Sequence, residues 1–477
     1  MNAKRSVLMA VMTSMGLSSA QVRAIDLVST NALGQQGAAF NSPRPSAISN
    51  DGNTVLFYSS DQGLVQPSPG RANHYVKNMA TGAVTAVIKR PDGMPLQFGA
   101  GGFYLAYMDE PPTRVVFTTA EPNLVPGTPS VRDRIFTTRI GSYQYFPAQG
   151  IANNLGIGFA DFTVNSQLDR IYLQSSQLLE ISATQASPAI IHSLRPDQQP
   201  SLFVVNVQYE QWPSLSSSGD GRILAWWNTN FDIDPKGNEG LVTGQIYIRD
   251  TQLGVTRQVR ADNGENLHYT EQPSVSDDGS FVTFATPDSY FTAPCNGDGI
   301  YGIDTRSWRR ECISVNTAGE PADAPSYQSH VSVDGNRVVF SSLAHNLGPI
   351  LPGLIYSEFG VFVRDRRLGR TVRIDINAQG IPANGRYQDD PLAVTRNRHA
   401  RISKNGRWVI FTSDASNLVP NDTNGHAEDI YRVDLNRFLP DPSLGAARLV
   451  PVPALSMMAS FGLIVALLGF GIWRRRD

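Results

Sequence analysis

The sequence predicts an all-β fold: a seven-bladed β-propeller closed by an N-terminal strand, followed by one C-terminal transmembrane helix. Three features carry that expectation. A hairpin motif recurs through the middle of the chain, a short strand-like run precedes the first full repeat, and one long uncharged stretch lies near the end.

The motif is Ser-x-Asp-Gly-x-x-x-x-Phe. It occurs at Ser49/Asp51/Gly52/Phe57, Ser276/Asp278/Gly279/Phe284 and Ser332/Asp334/Gly335/Phe340, with variants at Ser218/Asp220/Gly221/Trp226 and Ser403/Asn405/Gly406/Phe411. Asp-Gly or Asn-Gly between β-rich runs makes a tight hairpin turn, and the apolar run after it, as in Arg337–Phe340, reads as a buried strand. Thr113–Phe117 and Asp169–Leu173 are degenerate copies. Six steps lead from Phe57 to Phe411, about 59 residues each. Several copies continue with a loop such as Pro122–Pro126 or Ser416–Pro420. A strand closing on Asp follows (Ile246–Asp250, Val361–Asp365, Ile430–Asp434), and then a turn and a fourth strand such as Thr371–Ile376.

Four short strands per unit fit propeller blades, which bury their faces only against their neighbours. The expected blades are roughly 43–93, 94–150, 151–199, 200–264, 265–321, 322–382 and 383–438. The last stops at Asn436 without a fourth strand. An Asn-x-x-Gly turn follows the fourth strand at Asn316/Gly319 and Asn377/Gly380, and it also follows Ile25–Thr30 at Asn31/Gly34. Residues 25–30 are therefore expected to supply the missing strand, since an unclosed ring leaves two open edges.

These motifs resemble the TolB-like, PD40-type (WD40-like) propeller repeats of secreted bacterial proteins over residues 25–438. The resemblance implies a propeller and little about activity, because such folds host binding modules, accessory domains and a few enzymes.

The two ends read as addresses. Met1–Ala24 has a charged start (Lys4, Arg5), an apolar run and small residues before position 25, the pattern of a secretory signal; cleavage after Ala20 is the alternative. Residues 439–453 form a Pro-rich linker. Leu455–Trp473 carries no charge and is long enough for a bilayer core. Arg474, Arg475 and Arg476 place the tail in the cytoplasm and the body outside. Residues 454–477, with Val452-Pro453-Ala454-Leu455-Ser456, resemble the IPTL-CTERM and PEP-CTERM sorting signals read by exosortase-type enzymes. Ala454 and Val452 depart from those patterns, which leaves the subtype open. A plain tail anchor would share the topology without cleavage.

Composition narrows the partners. With 17% charged and 41% hydrophobic residues the chain is no disordered tail. The signal and sorting tail hold six of the 40 basic and one of the 42 acidic residues. The remainder is 34 against 41, a charge of −7, which offers nucleic acid no basic footprint.

Candidate chemistry is sparse. Cys295 and Cys312, 17 apart, suit a structural disulfide in an oxidising compartment. Asp422, Asn424 and Asp429 lie in a stretch like a Ca²⁺ loop, though without its full twelve-residue pattern; a polar turn is the competing reading. Asp232, Asp234 and Asn238 form a weaker cousin. The seven His show no metal-ligand spacing, although some TolB-like propellers are polysaccharide lyases with channel histidines, which draws notice to His330 and His399. No G-x-S-x-G elbow or P-loop appears. Trp226, Trp227 and Trp408 read as filling between blades, and Tyr290 and Phe291 as a candidate carbohydrate platform. The expectation is a non-enzymatic, surface-sorted binding or scaffold propeller with no cofactor unless Ca²⁺. Its partners would be the membrane through the C-terminal helix, an exosortase-type enzyme, and an unidentified protein or glycan. The alternatives are an extracellular carbohydrate-active enzyme and a periplasmic protein-interaction module.

Overall fold

The structure is a computed structural model. It describes residues 25–439 apart from 38–42, 100–105, 120, 123, 126–133, 148–160, 169, 175–176, 183–188, 194–214, 231–242, 263, 265–266, 268–270, 287–294, 296–298, 352–358 and 385–397. The chain divides into two compact units, Met1–Phe438 and Leu439–Asp477.

Among the described residues the strands pair into seven four-stranded sheets. Sheet 1 contains Arg44–Ile48, Thr54–Ser59, Asn73–Asn78 and Val84–Ala86. Sheets 2 to 6 follow in order, each from one stretch of chain. They open on Ala106–Met108, Asp161–Val164, Leu215–Ser217, Glu271–Val275 and Ser326–Val331. Sheet 7 is composite. Arg398–Ile402, Trp408–Ser413 and Asp429–Asp434 are completed by Ile25–Leu27, with Ile25 opposite Val433, Asp26 opposite Arg432 and Leu27 opposite Tyr431. Neighbouring first strands pack on one another, so they form the inner wall of a propeller.

The predicted fold class needs correction. Six sheets are continuous in sequence, and the remaining one is shared between the two ends of the described chain. No helix among the described residues is long and apolar enough to cross a membrane. The helix there, Leu435–Arg437, is one 3-10 turn capped by the Asp434 side chain. The signal, the sorting motif and residues 454–477 lie outside the described residues.

The repeated turn has one construction. Ser49 Oγ donates to Asp51 Oδ1 at 2.6 Å and accepts from the Thr54 amide at 2.9 Å, while Asp51 Oδ1 takes the Asn53 amide. Ser276/Asp278 and Ser332/Asp334 repeat the pattern. Gly52 has φ +75°, which favours glycine. A second constraint is contact with the preceding sheet. A methyl group on Gly52 would overlap the Trp408 ring, one on Gly221 the Tyr172 hydroxyl, and one on Gly335 would lie 2.7 Å from Phe281 Cβ.

The Phe that ends the motif has a partner. Second and third strands set aromatic rings opposite each other: Phe57 and Tyr75 (5.8 Å), Phe117 and Phe136 (6.1 Å), Trp226 and Tyr247 (5.5 Å), Phe284 and Tyr301 (6.2 Å), Phe340 and Phe362 (5.9 Å), Phe411 and Tyr431 (5.8 Å). Each pair adds about 0.5–1.5 kcal/mol beyond the area it buries. Sheet 3 departs from this, placing Glu180 opposite Tyr172.

Hydrogen bonds join every pair of neighbouring sheets near the axis. Asn50 N donates to Glu110, Tyr107 Oη to Phe162 O, Ser166 N to Gly219 O and Gly219 N to Asp277 O. Asp278 N donates to Val333 O, Val333 N to Lys404 O, and Asn405 N to Asn50 Oδ1, returning to sheet 1.

Candidate functional site

Three places concentrate polar chemistry. The first is the end of the channel where the Asp-Gly turns lie. Lys404 Nζ reaches Asp277 Oδ2 at 3.2 Å and bonds to Ser166 Oγ, which itself donates to Asp277 Oδ2 at 2.6 Å. These residues belong to sheets 7, 5 and 3, no two of them neighbours, so their side chains meet across the axis. Gly219 makes room: a Cβ there would lie 2.7 Å from both the Asp277 carboxylate and Ser166 Oγ. This axial tie spans the channel at its turn end.

The second is the inner wall toward the opposite end. The first strands of sheets 5, 6, 7 and 1 each slip register by one residue, between Glu271 and Ser274, Tyr327 and His330, Arg398 and Arg401, and Pro45 and Ala47. The first strands of sheets 2, 3 and 4 keep register. Bulges re-aim side chains and gather near functional sites. Two of them hold a non-glycine residue in the left-handed region, Gln328 at φ 58° and His399 at φ 60°, a conformation that costs about 1 kcal/mol or more. Gln328 Oε1 accepts from the His399 amide at 2.9 Å, and Arg44 Nη1 lies 3.0 Å from His399 Nε2. A guanidinium can only donate, so His399 Nε2 is the acceptor in this contact.

His330 and His399 do not hold matching places in their repeats. His330 pairs with Val339 as Arg401 does with Ile410, and His399 matches Gln328. His330 Nδ1 accepts from the Ile402 amide at 3.4 Å. Burial, with the Arg401 charge adding to it, pushes its pKa down to about 3. At the same repeat position sheets 4 and 5 carry Ser216 and Ser274, whose hydroxyls accept from Val275 N and Val331 N. No group of three or more His, Cys, Asp or Glu able to hold a metal occurs among the described residues.

The third is the Asp422–Asp429 stretch of sheet 7. The structure brings Asp422, Asn424 and Asp429 together around the side-chain amide of Gln36. Gln36 Nε2 lies 2.7 Å from Asp429 Oδ2, 3.0 Å from Asn424 Oδ1 and 3.2 Å from Asp422 Oδ1, its two N–H groups shared among the three acceptors. Gln36 Oε1 accepts from Thr423 N (2.6 Å) and Thr423 Oγ1 (2.8 Å), and since a backbone N–H can only donate, the amide's orientation is settled. Ser29 Oγ donates to Asp429 and accepts from Ile430 N, and Tyr431 Oη donates to Asp422 Oδ2. Burial pushes the Asp429 pKa up to about 6, with the Asp422 charge adding to it, against the bonds from Ser29, Asn424 and Gln36. Calcium takes six to eight oxygens; here three oxygens converge on an N–H donor. Sequence reasoning missed Gln36. Its signal was position, because the matching residues of sheets 5 and 6 are Pro321 and Pro382.

Cys295 and Cys312 form a disulfide with Cα atoms 5.5 Å apart. It ties the residues before the third strand of sheet 5 to its last strand, Arg310–Cys312. Trp226 is fully buried, and Trp408 lies under Arg407 and Arg432 at 5.0 and 4.7 Å. Asp232, Asp234, Asn238, Tyr290 and Phe291 lie outside the described residues.

No family model and no curated protein matches the chain. Solved structures similar to it include TolB from Acinetobacter baumannii (11% identity, 82% of this chain and 84% of that one, TM-score 0.37). The β-propeller domain of the Trilobed protease from Pyrococcus furiosus is another (10% identity, 82% and 95%, TM-score 0.46). A puromycin-hydrolysing peptidase of Mycobacterium tuberculosis is a third (13% identity, 85% and 53%, TM-score 0.49). The likeness is one of architecture; what the chain does is argued from its own residues.

Proposed function

We propose that this chain is an exported, non-enzymatic binding propeller that takes a protein or glycan at the channel end opposite the Asp-Gly turns. The observation that carries the reading is the axial tie: Lys404, Ser166 and Asp277 occupy the axis at the turn end. The inner-wall bulges, with Arg44, Gln328 and His399, belong to the part of the first strands away from the turns. Export is supported by the Cys295–Cys312 disulfide, since such bonds persist in oxidising compartments. The proposal includes an exosortase-type partner acting at Val452–Ser456, which intact mass of the mature chain would reveal.

The test is capture of glycans and proteins by the exported chain and two variants. Arg44→Ala should weaken capture, and Lys404→Ala should not. Capture indifferent to Arg44 would refute the choice of end, and turnover of a captured glycan would refute the non-enzymatic reading.

A further inference from the structure

We propose that Gln36 is the bolt of the ring: its side-chain amide fills the centre of the Asp422/Asn424/Asp429 oxygen cage and locks the N-terminal strand to sheet 7 without a cation. In sheets 5 and 6 the fourth strand follows the third through a short turn, so the chain itself holds it in place. In sheet 7 the fourth strand is three residues, Ile25–Leu27, from the other end of the described chain. Three residues of ladder are a weak hold on a strand without that connection.

The turn after the strand aims the bolt. Asn31 Oδ1 accepts from Leu33 N and Gln35 N, Asn316 Oδ1 from Ala318 N and Glu320 N, and Asn377 Oδ1 from Gln379 N and Ile381 N. All three turns therefore deliver the residue two after the Gly to the same bridge: Thr30–Gln36, Val315–Pro321 and Ile376–Pro382. A proline at that place has no side-chain polar group. Of these three turns, the one that belongs to the sheet without a covalent third-to-fourth connection carries an amide there, and both ends of that amide are used. An ion could satisfy the same oxygens but would tie nothing to them. The amide satisfies them only when the N-terminal strand is seated, so filling the cage and closing the ring become a single event. This holds whatever ligand the propeller binds.

The test is residue-resolved hydrogen exchange on the full chain. Gln36→Ala should speed exchange at Val28 and Ile430 about tenfold or more, as loss of bonds to charged groups implies, while sheet 6 amides, which report global opening, change far less. Gln36→Glu places a third carboxylate in the cage; it should loosen the same amides, and about 1 mM Ca²⁺ should restore them. Wild-type exchange at Val28 in either variant without Ca²⁺ overturns the proposal. So does slower exchange of the wild-type protein on adding Ca²⁺, because the cage would then prefer the ion to the amide.

Discussion

Trp408 lies across Gly52, the second strand of the last sheet covering the first turn of sheet 1. Arg432 stacks 4.7 Å from the same ring, donates to Gly52 O at 2.5 Å and pairs with Asp26 of the N-terminal strand. One glycine thus meets both parts of the composite sheet. Gly52→Ala combines a positive φ with overlap of the indole and should cost about 2–4 kcal/mol. Gly369→Ala, at φ +62° with open space around it, should cost about 1 kcal/mol. Denaturant titration of the two variants checks the difference.

Removing residues 25–34 takes away the fourth strand of sheet 7, Asp26, and Ser29. The melting temperature should fall by many degrees. An unchanged melting curve would show that the strand contributes nothing to closure.

The pH profile has two opposed contributions. His74 is fully buried, neither ring nitrogen has a hydrogen-bond partner, and burial pushes its pKa down to about 3. Its unfolded form takes up a proton near pH 6.5, so stability is lost as pH falls from there toward 3. Asp429 is raised to about 6, so its contribution is fully present below the unfolded carboxylate value and lost as pH rises through 6. His74→Leu should therefore gain about 2 kcal/mol more at pH 5 than at pH 7.5. Asp429→Asn gives up an acceptor of Gln36 or Ser29 but also removes the buried charge, so its cost should be smaller above pH 6 than at pH 4. Stability curves at these pH values decide both signs.

The axial tie should respond unequally. Lys404 and Asp277 keep 30% and 29% of their side-chain surface, and an ion pair that exposed is worth under about 1 kcal/mol. Lys404→Ala should cost little. Gly219→Ala forces Asp277 and Ser166 apart and should cost about 1–3 kcal/mol, with faster exchange at the Ser166 amide.

Reduction of Cys295–Cys312 should lower stability by about 3 kcal/mol for a loop of this length. The native protein should titrate no free thiol.

The turns could be read in the sequence because Ser, Asp and Gly each do local work: two side-chain acceptors and a positive φ within six residues. The aromatic after each turn was legible for the same reason, being one member of a cross-strand pair. The tie and the bolt were not. Lys404 and Asp277 occupy the variable place after the motif Ser, where Asn50, Gly219 and Val333 also stand, and only the ring brings them together. Asp422, Asn424 and Asp429 looked like ligands because their oxygens do converge; that an amide from Gln36 meets them depends on a contact across almost the whole chain. The inner-wall bulges leave no local mark, since register belongs to two strands at once.

The composite sheet also says where the chain could be cut. Asp434 ends one strand and Ile25, opposite Val433, begins its antiparallel neighbour, so the two meet as the third and fourth strands of sheet 6 do at Asp365 and Arg370. Topologically the propeller is a circle with a single nick. A circular permutant that joins these ends through a short turn, and opens the chain in an exposed turn such as that at Gly141, would keep the neighbours of every described strand. Which residue comes first is then a matter of synthesis rather than of architecture.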